Sequence, residues 1–200
     1  MNFTMKQLAL GISPPPQPTL ENFVPGANAE LLARLREFRA GKFPDSVLYL
    51  WGENGSGKSH LLQACPAPNV VDDVQKLDEA SQIGLFNTIN EARQSGGTVL
   101  AAGNAPPAQL PLREDLKSRL AWGLVYQIKP PSDEERARFL HAEAGRRGMR
   151  LPEEVVSYLL SRMRRDLRSL TAVLDQLDRF SLETKRPVTL PLVREALKAE

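Results

Sequence analysis

The sequence predicts an α/β protein in which a parallel sheet is flanked by helices, followed by a small all-helical unit. Three observations carry this. Short apolar runs alternate with helix-period segments over the first two thirds of the chain. One run, Val47-Leu48-Tyr49-Leu50-Trp51, opens straight onto a glycine loop that a helical segment follows. Beyond Pro130-Pro131 the strand pattern stops and only helical spacing remains.

Residues 1–19 read as a tail outside the core. Leu8, Leu10 and Ile12 alternate as on an extended strand, and Ser13-Pro14-Pro15-Pro16-Gln17-Pro18 favours stiff polyproline geometry. A helix is predicted from Asn28 to about Arg39, with Leu31, Leu32, Leu35 and Phe38 at helical spacing. The buried strand 47–51 and its loop lead into a helix that ends near Cys65, because Pro66 and Pro68 cannot continue it. Val70-Val71 is a short strand closing on two aspartates. Asp78 to Arg93 is a helix stopped by Gly96-Gly97, and the runs 98–102 and 124–128 are further strands. Strands of this kind need cover on both faces. In the C-terminal part, Ser132-Asp133-Glu134-Glu135 is a capping box, Pro152 suits a first helical turn, and a third helix follows Asp166. A last helix follows Thr189. The expected division is therefore a tail over 1–19, an α/β unit over 20–130 and a helical unit over 131–200.

Composition excludes several classes. Apolar residues are 42% and charged residues 25%, as in ordinary globular domains. A formal charge of +2 argues against a protein whose main work is wrapping nucleic acid. The single cysteine, Cys65, cannot form an internal disulfide, which suits a reducing compartment. The first residues carry no secretory signal, and no apolar run approaches the ~20 residues that cross a bilayer. A cytoplasmic setting without membrane attachment is expected.

Gly52-Glu53-Asn54-Gly55-Ser56-Gly57-Lys58-Ser59 matches G-x-x-x-x-G-K-[ST] at every fixed position, and it lies between a strand and a helix, as that motif requires. Glycines let successive N–H groups converge on phosphate oxygens, and the helix N-terminus adds positive potential. Lys58 is then the β/γ-phosphate ligand, and the Ser59 hydroxyl a Mg²⁺ ligand. Asp72 and Asp73 stand where a Walker B strand ends: Asp72 as the second-shell or direct Mg²⁺ carboxylate, Asp73 where many AAA+ proteins carry the Glu that orients the attacking water. Two solvated acids capping a strand are the alternative. Aspartate is shorter than the glutamate usual there, so weak hydrolysis is expected.

Several motifs together resemble the AAA+ module of the bacterial initiator DnaA and its Hda relatives. They are Leu20-Glu21-Asn22-Phe23-Val24-Pro25-Gly26 with Asn28, Tyr49-Leu50-Trp51-Gly52, Ser59-His60-Leu61-Leu62, and Asp72-Asp73-Val74-Gln75. Gly103-Asn104-Ala105-Pro106-Pro107, Lys117-Ser118-Arg119-Leu120-Ala121-Trp122-Gly123 and Met163-Arg164-Arg165-Asp166-Leu167-Arg168-Ser169-Leu170 complete the set. The resemblance implies a P-loop AAA+ core with a helical lid. It implies that ADP or ATP with Mg²⁺ is held by Phe23, Val24, Gly52, Asn54, Gly55, Ser56, Gly57, Lys58, Ser59 and His60, with Asn104 as sensor 1 and Arg168 as sensor 2. It makes Arg119 the candidate arginine finger, acting in trans. Bland roles remain open for both arginines, as a solvated helix-end cation and as a member of a surface charge cluster. Gln7-Leu8-Ala9-Leu10-Gly11-Ile12 resembles the motif by which such proteins bind the sliding clamp of DNA polymerase III, so Gln7, Leu8, Leu10 and Ile12 are candidate clamp contacts.

Two departures qualify the resemblance. The sequence stops at Glu200 without the helix-turn-helix domain of the initiator, so duplex recognition of that kind is not expected. Asp72 follows Lys58 by only 14 positions, so a strand and helix usual in the family should be missing there. The expectation is a negative regulator of replication initiation that promotes hydrolysis of DnaA-bound ATP from clamp-loaded DNA, itself a slow hydrolase and a possible homo-oligomer. The rival readings are an autonomous ATPase of the DnaC/IstB helicase-loader type and a fragment of a DNA-binding initiator.

Overall fold

The computed structural model describes residues 17–198, which form two compact units, residues 17–131 and 132–198. The predicted contacts at Gln7, Leu8, Leu10 and Ile12 lie outside the described residues.

In the first unit, a 3₁₀ turn at Gly26–Asn28 leads into α1 (Ala29–Arg39), followed by β1 (Val47–Trp51) and α2 (Lys58–Ala64). Next come β2 (Val70–Val71), α3 (Glu79–Ser95), β3 (Val99–Gly103), α4 (Glu114–Leu120) and β4 (Leu124–Gln127). The four strands pair in the order β2-β3-β1-β4, all parallel. The shared direction puts every strand's C-terminal end on one edge, where open α/β sheets carry their sites.

Side-chain alternation divides the core. Leu48 and Leu50 of β1 face one side with Leu31, Leu32 and Leu35 of α1 and Leu61 and Leu62 of α2. Val47 and Tyr49 face the other, with Leu85 and Ile89 of α3 and Leu116 and Leu120 of α4. Each fully buried Leu or Ile contributes roughly 1.5–3 kcal/mol by leaving water. Helix ends follow local chemistry. The Asp78 carboxylate accepts from the Ser81 N–H at 2.9 Å and starts α3, and Gly96, at φ +71°, ends it in the left-handed region.

The sequence reading is off by a residue at several ends. The strand expected at 98–102 runs from Val99 to Gly103, because pairing with β1 sets its register up to Trp51↔Gly103. Helix α4 had no separate place in that reading, since seven residues give too little periodicity to stand out. As expected from the short spacing, the chain passes from α2 to β2 through residues 65–69 alone, without a strand or helix between.

The second unit has four helices among its described residues: α5 (Asp133–Arg146), α6 (Glu153–Arg162), α7 (Leu167–Thr184) and α8 (Leu190–Ala196). The capping box on Ser132 is formed in both directions, with Glu135. Asp166 caps α7 by accepting from the Ser169 N–H at 2.8 Å. Leu170, Val173, Leu174 and Leu177 of α7 face Leu140, Val155, Leu159 and Val193. Arg136 is buried, donates to the Arg165 carbonyl at 2.8 Å and pairs with Asp133, tying α5 to the α6–α7 connection.

Candidate nucleotide site

The loop after β1 is built by glycines that nothing larger replaces. A Cβ at Gly52 would come within 2.8 Å of Ser56 Oγ and 2.9 Å of the Ile128 carbonyl. Gly57, at φ +102°, has the Phe23 ring packed on it, so a Cβ there would sit 2.7 Å from Phe23 Cε2. The Lys58 ammonium is buried and donates to the Gly52 and Glu53 carbonyls at 2.8 and 2.9 Å, inside the arc of the loop. Burial lowers its pKa, and the charges of Asp72 and Asp73 pull it back up. Ser56 Oγ is buried with no hydrogen-bond partner among the described residues, a donor left over inside the loop.

Ser59, on the first turn of α2, donates to Asp72 Oδ2 at 2.5 Å, and Asp72 Oδ1 accepts the Asp73 N–H at 2.8 Å. A hydroxyl and a carboxylate side by side are hard oxygen donors that suit Mg²⁺. No cluster of three or more His, Cys, Asp or Glu that could hold a metal occurs among the described residues. The Ser59 hydroxyl and the Asp72 carboxylate are two oxygen donors that fit a Mg²⁺ ion. They do not form an all-protein cage. A cavity of about 320 Å³ adjoins this pair, lined by Leu62, Gln63, Pro66, Ala67 and Val70.

The entry segment closes over the same loop. Leu20 is buried in the core, Phe23 and Val24 are half-buried, and the Phe23 and His60 rings lie 5.6 Å apart. His60 Nε2 is 2.9 Å from the Thr19 carbonyl. Asn28 both donates to the Lys129 carbonyl (2.9 Å) and accepts from the Lys129 N–H (2.8 Å), clasping the segment to the chain leaving β4. The sequence reading placed Asn28 in the entry motif but had no sign of this partner 101 positions away.

Asn104 follows β3 and is exposed, next to the strand that feeds the phosphate loop. Asp73 has a positive φ (+51°), and its carboxylate pairs with Lys76 at 2.6 Å. Lys76, then Gln75, hold its pKa below the usual aspartate value. Asn54 and Gly55 lie at the exposed tip of the loop. Arg168 is exposed on the first turn of α7, in the second unit.

Arg119 is held on the α3–α4 face, which packs on the opposite side of the sheet from α2. Its Nε donates to Asn90 Oδ1 at 2.9 Å, and its guanidinium lies 3.5 Å from the Trp122 ring centroid and 5.1 Å from that of Phe86. Arg93 also stacks on Trp122, at 4.2 Å. Sequence reasoning missed Phe86, Asn90 and Arg93. Their i, i+4, i+7 spacing on α3, a stripe beside the buried Leu85, Ile89 and Ala92, was the available signal.

Residues 133–197 match the family described as "Hda, lid domain". Among solved structures, the chain is similar to domain III of the Thermotoga maritima replication initiation protein DnaA. The identity is 26% and the TM-score 0.76, over 94% of this chain and 98% of that one. It is also similar to a replication initiator DnaA bound to AMPPCP and single-stranded DNA (21% identity, TM-score 0.74, covering 92% and 69%). The Thermotoga maritima RuvB Holliday junction branch migration motor shares the fold at 15% identity, TM-score 0.70, covering 92% and 72%.

Proposed function

This chain is a DnaA/Hda-related AAA+ protein, and from that premise we propose that it is a negative regulator of replication initiation that supplies Arg119 to ATP bound on DnaA. One observation carries the reading. Arg119 is fixed by Asn90 and Trp122 on the α3–α4 face, away from the α2 face of its own sheet, which suits a guanidinium offered to a neighbouring subunit. A trans arginine that stabilises charge developing on the transferred phosphoryl is worth roughly 10³–10⁵ in rate.

The chain's own loop holds ADP or ATP. Ser59 and Asp72 would hold a Mg²⁺ ion, which would neutralise phosphate charge. Lys58 neutralises the outer phosphates, and the N–H groups of Asn54 to Ser59 donate to phosphate oxygens. Phe23, Val24 and His60 border the base, Asn104 is the sensor 1 candidate, and Arg168 on α7 is the sensor 2 candidate. The Ser59–Asp72 contact and the neighbour bound to AMPPCP support this reading. This site sets the shape and assembly state of the regulator, including any self-association. Gln7, Leu8, Leu10 and Ile12 tether it to the DNA polymerase III sliding clamp, and so to DNA indirectly. Among the described residues no helix is long and apolar enough to cross a membrane, and the working site is the cytoplasm.

The intact Lys58, Ser59 and Asp72 favour a second reading, an autonomous ATPase of the DnaC/IstB helicase-loader type. The assay that separates them measures DnaA-ATP hydrolysis with and without this protein and clamp-loaded DNA, beside turnover by this protein alone. Stimulation that needs all components supports the regulator. Brisk turnover alone, without stimulation of DnaA, supports the loader.

A further inference from the structure

The Asp73 carboxylate is bonded on both oxygens within its own turn. Oδ2 accepts from Lys76 Nζ at 2.6 Å and Oδ1 from Gln75 Nε2 at 2.9 Å. The same Gln75 carboxamide accepts, through Oε1, from the backbone N–H of Asn104 at 3.2 Å. Gln75 thus bridges the ends of β2 and β3, and a Cβ at Gly103 would crowd it at 3.3 Å. The left-handed backbone at Asp73 belongs to this turn (φ +51°).

We infer that Gln75 and Lys76 are positioning residues that clamp the Asp73 carboxylate and the Asn104 amide together and so restrain the chain's own ATP hydrolysis. The inference rests on the nucleotide-site reading above. In hydrolysis a water oxygen bonds to the γ-phosphorus while the bond from that phosphorus to the β–γ bridging oxygen breaks. ADP and inorganic phosphate form, and the water's proton passes to an acceptor and then to solvent. An acceptor carboxylate must be free to orient that water. Asp73 instead neutralises Lys76, and its second oxygen is tied through Gln75 to β3. The clamp is a partial brake, because Lys76 is 73% exposed and Asp73 40% exposed. An ion pair so exposed is worth up to about a fivefold factor.

Two measurements test it. The first is single-turnover ATP hydrolysis by the isolated protein. Lys76→Met is expected to raise the rate up to about fivefold with nucleotide affinity unchanged. Lys76→Arg, which preserves the ion pair, should keep the wild-type rate, and Lys76→Met combined with Asp73→Ala should lose the gain. An unchanged or lower rate in Lys76→Met overturns the restraint, as does a gain that survives without Asp73. The second needs no nucleotide. Amide hydrogen exchange at Asn104 should quicken in Gln75→Ala, by up to about tenfold for one hydrogen bond, and stay near wild type in Lys76→Met. Equal exchange at Asn104 in Gln75→Ala and wild type overturns the clamp. Calorimetry in which wild-type protein binds neither ADP nor ATP would instead remove the nucleotide-site reading, and the exchange experiment would still decide the clamp.

Discussion

Gly57→Ala perturbs the phosphate loop at its tightest point, and its cost has two separable parts. The backbone at Gly57 has φ +102°, where an L side chain is strained by roughly 1–2 kcal/mol. The new Cβ would also stand 2.7 Å from Phe23 Cε2, so the half-buried ring must shift, a repacking cost of roughly 1–2 kcal/mol. The total of about 2–4 kcal/mol corresponds to a fall in melting temperature of about 5–15 °C. Loss of loop geometry should also remove nucleotide binding. The assay is thermal unfolding with and without millimolar ADP or ATP. Combining Gly57→Ala with Phe23→Leu makes room for the Cβ, so it should recover the clash part and leave the φ part. A Gly57→Ala protein with wild-type melting temperature and undiminished ligand-induced stabilisation would refute the reasoning.

Gly103→Ala drives a Cβ into the Tyr49 hydroxyl, which donates to the Ala105 carbonyl at 2.8 Å. Tyr49→Phe alone should cost about 1 kcal/mol, and the double variant should be more stable than the sum of the singles, as a double-mutant cycle by denaturant unfolding would read. Lys58→Ala should erase most of the melting-temperature rise produced by ADP or ATP, since a ligand stabilises only the state that binds it. An undiminished rise would show that Lys58 contributes little to binding. Replacing Gln7, Leu8 and Leu10 with Ala should abolish capture by sliding clamp while leaving the melting temperature unchanged. Equal capture of the variant by clamp would end the tether proposal.

What was legible in the sequence was local. The strand at 47–51, its glycine loop and the helix beyond are specified by adjacent residues, and the capping box at Ser132 and the prolines mark helix starts within a turn. The helical unit was readable because Leu170, Val173, Leu174 and Leu177 repeat on one face. What escaped depends on pairs far apart in the chain. Asn28 meets Lys129, Asn104 meets Gln75, and Arg119 meets Asn90, and no periodicity encodes such contacts. The pairing of Asp73 with Lys76 is only three positions long, yet it goes with a positive φ at Asp73, uncommon outside glycine and not marked by the sequence. The sequence therefore marked Arg119 and Asp73 as candidates but gave no sign of how the fold restrains each.

The most direct test of the central claim is DnaA-ATP hydrolysis in the presence of clamp-loaded DNA, comparing wild-type protein with Arg119→Ala and Arg119→Lys. Wild type should accelerate hydrolysis. Arg119→Ala should remove the acceleration, roughly 10³-fold or more at saturation, without weakening capture by clamp. Arg119→Lys should restore little, because an ammonium lacks the planar fork that grips phosphate oxygens and stacks on Trp122. Equal acceleration by wild type and Arg119→Ala would contradict the account.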